Sequence, residues 1–181
     1  MATMTIRKIL PYLGLPVLGA LLLILRIGKM DGFILFWCAL LIVFGYVAAV
    51  LDFMTKRIPN NLVLAMLAAW VITILPWVFN ETHIAVTLLI DSALGFAIGG
   101  GLFLLVYLIS RKGLGGGDVK FMAVAGLYLG FYGVIPAMFC GTVLAALTGL
   151  TLLLLKKIGR KDTMPLAPFL YAGMLITIFF M

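Results

Sequence analysis

The chain has 181 residues, of which 65% are hydrophobic and 10% charged, with a formal net charge of +7. A soluble domain carries roughly a quarter charged residues, so this composition excludes a water-soluble globular fold and reads as a polytopic membrane protein. The positive balance could be read as a nucleic-acid signal, but in so apolar a chain it reflects membrane topology, and no nucleic-acid partner is expected.

Seven apolar runs are read in chain order, each judged against the roughly 20 residues a membrane crossing needs. A short basic head ends in Arg7-Lys8, and the first run follows over 9–25. Its basic start is like a signal peptide, but the run is long and no small-residue cleavage site follows it, so a retained first helix is expected. Arg26, Lys29 and Asp31 make a short loop. The second run, 33–51, delivers Asp52 at its end. Residues 56–61 are a turn in which Pro59 can start a helix and Asn60 or Asn61 can cap it. The third run covers 62–79, with Pro76 near its close, and Asn80-Glu81-Thr82-His83 form a polar loop. The fourth run, 84–109, contains Gly95, Gly99, Gly100 and Gly101, small residues that let helices pack closely in lipid. The fifth run, 119–132, is short, which fits a tilted, broken or partly shielded element, and Gly126, Gly130 and Gly133 suit that reading. The sixth covers 134–155. A charged loop over 156–162 and the sequence Met164-Pro165-Leu166-Ala167-Pro168-Phe169 lead into the last run, which reaches Met181. No repeat, linker or low-complexity segment interrupts the chain, so residues 1–181 read as one membrane domain of class all-α.

Orientation follows from the distribution of Lys and Arg over short loops. With the amino terminus cytoplasmic, seven spans put Arg7, Lys8, Lys56, Arg57, Arg111, Lys112, Lys120, Lys156, Lys157, Arg160 and Lys161 on one side, eleven of the 13 Lys and Arg residues. Only Arg26 and Lys29 remain for the other. This arrangement also puts Asp52 and Asp118 together at the cytoplasmic face.

Asp118 stands in Gly113-Leu114-Gly115-Gly116-Gly117-Asp118-Val119-Lys120, between two long apolar runs. An acid at the mouth of an apolar helix is costly unless something uses it. Glycines let the backbone bend sharply and let another chain come close, so Gly115 and Gly117 could admit an extended peptide beside Asp118. Peptide hydrolysis without a covalent intermediate needs a base to activate water and an acid to protonate the carbonyl oxygen or the leaving amine. Two carboxylates a few ångströms apart supply both; such a pair cannot doubly ionise cheaply, shares one proton and titrates as a unit.

Other residues have plainer readings. Asp91, inside the fourth run, fits a hydrogen bond to a neighbouring helix. Lys120 could tune Asp118 or hold a substrate carbonyl, or could simply snorkel to the interface. His83 reads as a solvated loop residue. Cys38 and Cys140 lie inside apolar runs without a Cys-x-x-Cys pair, so they read as packing residues, and no metal or organic cofactor is implied. Two rival functions are open on the residues alone. One is a small proton- or cation-coupled transporter using Asp52, Asp91 and Asp118, though two acids at one depth make a poor path across a bilayer. The other is a non-catalytic membrane subunit of a pilus or secretion machine.

Three motifs carry a resemblance. Asp52-Phe53-Met54-Thr55-Lys56-Arg57-Ile58-Pro59-Asn60, then Gly115-Gly116-Gly117-Asp118-Val119-Lys120, then Pro165-Leu166-Ala167-Pro168-Phe169-Leu170 together resemble the type IV prepilin peptidases, within the Gly-x-Gly-Asp group of intramembrane aspartyl proteases. The resemblance covers about residues 33–181 as a six-helix core, with the helix at 9–25 as an extra amino-terminal span. It implies that Asp52 and Asp118 are the catalytic pair and that Gly115, Gly117, Lys120, Pro165 and Pro168 shape the site or position substrate. The implied partner is a prepilin or pseudopilin, cut behind its basic leader at the cytoplasmic face of the plasma (inner) membrane. The apolar stem of such a substrate can rest in membrane lipid meanwhile. The third motif reads Leu-Ala where Phe-Gly is common in the family. Larger members carry an amino-terminal domain with paired Cys-x-x-Cys motifs tied to methylation; neither stands in this sequence, so cleavage without methyltransferase activity is expected. Oligomeric state is left open.

Overall fold

A computed structural model describes residues 14–29, 31–110, 114–157, 159 and 164–181. Among the described residues there are six helices and no strand: α1 Gly14–Arg26, α2 Gly32–Thr55, α3 Asn60–Asn80, α4 Thr82–Ile109, α5 Gly116–Leu154 and α6 Ala167–Phe180. α2, α3, α4 and α5 are long and apolar enough to cross a membrane, and α6 is a shorter apolar helix. The start of the expected first helix, residues 9–13, lies outside the described residues, as do Arg7, Lys8, Arg111, Lys112 and residues 160–163 of the charged loop.

The outer surface is as greasy as the core. Leu64, Ile72, Phe79, Leu105, Leu108 and Ile109 are all exposed. Apolar exposure on this scale marks a surface solvated by lipid rather than water. Inside, some polar groups bond across helices: Trp37 Nε1 donates to Thr73 Oγ1 at 2.9 Å, joining α2 to α3. Tyr128 Oη donates to Met66 O at 2.7 Å, joining α5 to α3. Trp37 packs edge-on against Tyr128 at a ring-centroid distance of 6.0 Å, between the two bonds.

α5 differs from the sequence expectation. The fifth and sixth apolar runs were expected to part between Tyr132 and Val134. Instead they form one 39-residue element that breaks at Gly130, with φ 64° and ψ −173°. At ~1.5 Å per residue an unbroken helix of that length would be ~58 Å long, about twice a bilayer's hydrocarbon thickness. Contacts to α4 show how the two halves run. Gly95 and Gly126 meet backbone to backbone, and Gly99 faces both Met122 O and the Val134 side chain. The chain therefore climbs along α4, turns at Gly130 and comes back past the same helix. Small residues are what permit this approach: a Cβ at Gly95 or Gly126 would land on the other helix's carbonyl. Gly101 faces open space and takes no part.

α6 closes the structure against the returning half of α5 and against α2. Gly173 lies on Ala137 O and Gly141 N, and Gly45 of α2 lies under the Tyr171 ring. Those pairings run α6 so that its first residue arrives beside the end of α2. The last turn of α2, the first turn of α5 and the first turn of α6 thus converge at one end of the bundle.

Candidate active site

Asp52 sits in the last turn of α2, 5 % exposed. The helix ends one turn later because Lys56 adopts a left-handed conformation, φ 53° and ψ 32°, and its N–H donates to Asp52 O at 2.7 Å. The Thr55 hydroxyl lies 2.8 Å from Leu51 O and 3.0 Å from Arg57 O, holding the turn closed. The Asp52 side chain meets the beginning of α6. Its Oδ2 accepts the Ala167 N–H at 3.0 Å, with the Leu166 amide also close to the carboxylate. The local sequence explains why those amides are free to do so. A helix leaves its first N–H groups without intrahelical partners. Pro168 has no N–H, and the Phe169 and Leu170 amides turn back to Leu166 O. The helix start is also where the partial positive charge of the aligned peptides accumulates, so a carboxylate is well placed there.

Asp118 is the third residue of α5 and is 8 % exposed. Its N–H donates to Gly115 O at 3.1 Å, and the Gly115 N–H lies close to its carboxylate. This is the reaching-back half of a capping box. Asp118 Oδ1 is buried and has no hydrogen-bond partner among the described residues. Such an orphan is uncommon in a folded protein and calls for a reason.

The glycines around Asp118 differ in what they do. A Cβ on Gly115 would stand 2.8 Å from Asp118 Oδ2. One on Gly117 would stand 3.2 Å from Ile58 Cβ and 3.3 Å from Ile58 O. One on Gly116 would meet nothing within 4 Å. Gly116 and Gly117, expected in a loop, are the first turn of the helix itself. Asp52 and Asp118 line one cavity of about 250 Å³, whose other walls are residues 56–58 of the α2–α3 linker and glycines 115–117.

The remaining site candidates divide. Lys120 turns away toward α3: its Nζ donates to Asn60 Oδ1 at 3.0 Å. Pro168 occupies the first turn of α6 and Pro165 is half-buried just ahead of it. Asp91 is remote, beside the Gly130 break. Among the described residues no three His, Cys, Asp or Glu side chains gather as a metal site. Three features were missed in the sequence. The Leu166 and Ala167 amides carry no side-chain signature, although prolines at 165 and 168 around them mark a constrained helix start. Ile58 looked like an ordinary turn residue, yet it is buried and lines the cavity. Asn60 or Asn61 was expected as a cap; Pro59 holds the N-cap position instead and the Asn60 side chain faces Lys120.

A bundle of lipid-facing helices that gathers two buried carboxylates on one cavity defines a class, the multi-pass membrane proteins with paired acids at a helix-end site. The family is narrower. The profile of the type IV leader peptidase family matches residues 35–150, and the chain belongs to that family. The prepilin leader peptidase/N-methyltransferase of Bacillus subtilis (strain 168) is 36% identical over 81 residues, covering 44% of this chain and 33% of the relative. The alignment thus spans a third of that relative's length. No solved structure matches the chain.

Proposed function

We propose that this chain is an aspartic endopeptidase that removes the basic leader from a prepilin or pseudopilin, with Asp52 and Asp118 as its acid–base pair. The observation that carries the reading is that these two carboxylates, far apart in sequence, line the same cavity. In the reaction, one carboxylate takes a proton from water as its oxygen attacks the scissile carbonyl carbon. The other gives its proton to the carbonyl oxygen, leaving a tetrahedral gem-diol. Collapse returns a proton to the amide nitrogen, the C–N bond breaks, and the products are a carboxylic acid and an amine. The α6 amides on Asp52 fix one partner of the pair. The buried, unpartnered Oδ1 of Asp118 leaves the other with an oxygen to offer to water or substrate. Membership of the leader peptidase family supports the substrate class. The proposal extends to cleavage alone.

The same reading makes the chain one membrane domain at the plasma (inner) membrane. Residues 33–181 are its peptidase core and the first helix is an added span. Two features support seven crossings: the Gly130 break, and the contacts of both α5 halves with α4. The loop distribution of Lys and Arg supports a cytoplasmic amino terminus and site. A reporter fused after Glu81 is then expected to be extracytoplasmic, and cytoplasmic behaviour would reverse the topology.

Purified chain incubated with a prepilin in detergent or liposomes tests the activity. Wild type is expected to release the leader, and Asp52→Asn or Asp118→Asn to lower the rate by at least ~100-fold. No cleavage by the wild type, or full cleavage by either variant, would sink the proposal.

A further inference from the structure

Asp52 and Asp118 are both buried, 5 % and 8 % exposed, beside the cavity they share. What stands over them is the α2–α3 linker, residues 56–59. Its Lys56, Arg57 and Ile58 wall the cavity opposite glycines 115–117. Ile58 is buried while the linker residues on either side of it, Lys56, Arg57 and Pro59, are exposed. It is seated on Gly117, where an added Cβ would lie 3.2 Å from Ile58 Cβ and 3.4 Å from Ile58 N. A side chain at position 117 would force the linker to give way by a few tenths of an ångström. The linker leaves α2 through Lys56 at φ 53°, a conformation that side-chain-bearing residues avoid. Just past its far end, Asn60 of α3 accepts from Lys120 of α5 at 3.0 Å, and this contact is exposed to solvent. A solvent-exposed hydrogen bond is worth little net, so it can hold a segment in place and still release it.

We propose that residues 56–59 are a lid over the two carboxylates, with Ile58 as its plug and the Asn60–Lys120 hydrogen bond as its latch, and that the lid lifts off Gly117 to admit the substrate. What enters rests on the peptidase reading above. The motion itself can be measured without cleavage.

The first arm uses labelling. Asp52→Cys is made on a Cys38→Ala, Cys140→Ala background, and its conversion to a mixed disulfide by a water-soluble methanethiosulfonate, with methanesulfinate leaving, is timed in detergent. Cutting the latch with Lys120→Met is expected to speed labelling about fivefold, the shift in opening that loss of one such bond gives. The second arm locks the lid with Ile58→Cys plus Gly117→Cys on the same background with Asp52 intact. The short Cβ separation there is near the ~3.5–4.5 Å of a disulfide. The oxidised enzyme is expected to lose prepilin cleavage at least tenfold relative to its own reduced form and to regain it with a thiol reductant. Labelling that ignores Lys120→Met, or equal cleavage by the oxidised and reduced forms, overturns the lid. A wild-type chain that cleaves no prepilin overturns the peptidase reading instead, and the labelling arm then decides the lid by itself.

Discussion

Asp91 accepts the Phe131 amide at 3.0 Å, and the residue after it, Ser92, donates to Leu127 O at 2.7 Å. In an unbroken helix the Phe131 N–H would bond Leu127 O directly. The break at Gly130 separates those two groups, and the adjacent pair on α4 supplies a substitute for each. Lipid offers no water to do this, so a broken helix in a membrane needs such a neighbour. The intramembrane acid thus has a structural task, and the transporter reading loses its middle station. Asp91→Asn keeps an acceptor and is expected to cost less than ~1 kcal/mol, whereas Asp91→Leu strands the amide and should cost about 2 kcal/mol. Unfolding in detergent by heat or by SDS titration separates the two. Equal losses would mean that the Asp91–Phe131 bond is not what holds the turn.

Gly130 itself gives a second prediction. At φ 64° an L side chain is strained, and its Cβ would press into the Asp91 carboxylate. Gly130→Ala is expected to destabilise by about 2 kcal/mol or more. Gly101→Ala, on the open side of α4, should be neutral or slightly stabilising because alanine favours helix. The same unfolding measurement checks both, and a Gly130→Ala protein as stable as wild type would contradict the reversal of the chain at this residue.

These residues also show what could be read in advance. The two aspartates were legible because an acid at the end of an apolar run is expensive enough to stand out, and the prolines after residue 164 because they sit where a helix can begin. The position of the α5 break was not legible. Gly126, Gly130 and Gly133 all lie in the same stretch, and hydropathy does not choose among them. The choice is made on another helix, where Asp91 and Ser92 await one particular N–H and one particular carbonyl. The role of Asn60 was misread for a similar reason. A turn signal of Pro followed by Asn fits a cap locally, but Lys120 of α5 takes the side chain. The amides that hold Asp52 were invisible because every residue except proline has one.

The glycine row before Asp118 should prove unequal. Gly117→Ala brings a methyl group into close contact with Ile58, and Gly115→Ala brings one against the Asp118 carboxylate. Gly116→Ala meets open space. Thermal midpoints in detergent are expected to fall for Gly117→Ala, by an amount corresponding to about 1–2 kcal/mol of overpacking. They should hold or rise slightly for Gly116→Ala, since alanine is the better helix former in a first turn. For Gly115→Ala the main loss should appear in cleavage rate rather than midpoint, because the displaced group is the Asp118 carboxylate proposed as half of the acid–base pair. Indistinguishable midpoints for Gly116→Ala and Gly117→Ala would show that the linker does not rest on Gly117.

The contact between Asp52 and α6 is made by backbone, which explains how Leu166 and Ala167 can stand where the family commonly has Phe and Gly. Side-chain exchange there should matter little to the chemistry. Leu166→Phe and Ala167→Gly are each expected to keep the cleavage rate within about threefold, since both retain the amides that the carboxylate uses. Ala167→Pro deletes the donated N–H at the first helical position, with some local shift of Leu166, whose φ −93° and ψ −32° a following proline disfavours. Losing a hydrogen bond to a charged group is worth about 1.5–3 kcal/mol, so the rate should fall roughly tenfold to a hundredfold. Far-UV circular dichroism alongside the rate distinguishes a lost bond from a lost helix. An Ala167→Pro enzyme with wild-type helicity and wild-type rate would show that α6 does not hold Asp52 during catalysis.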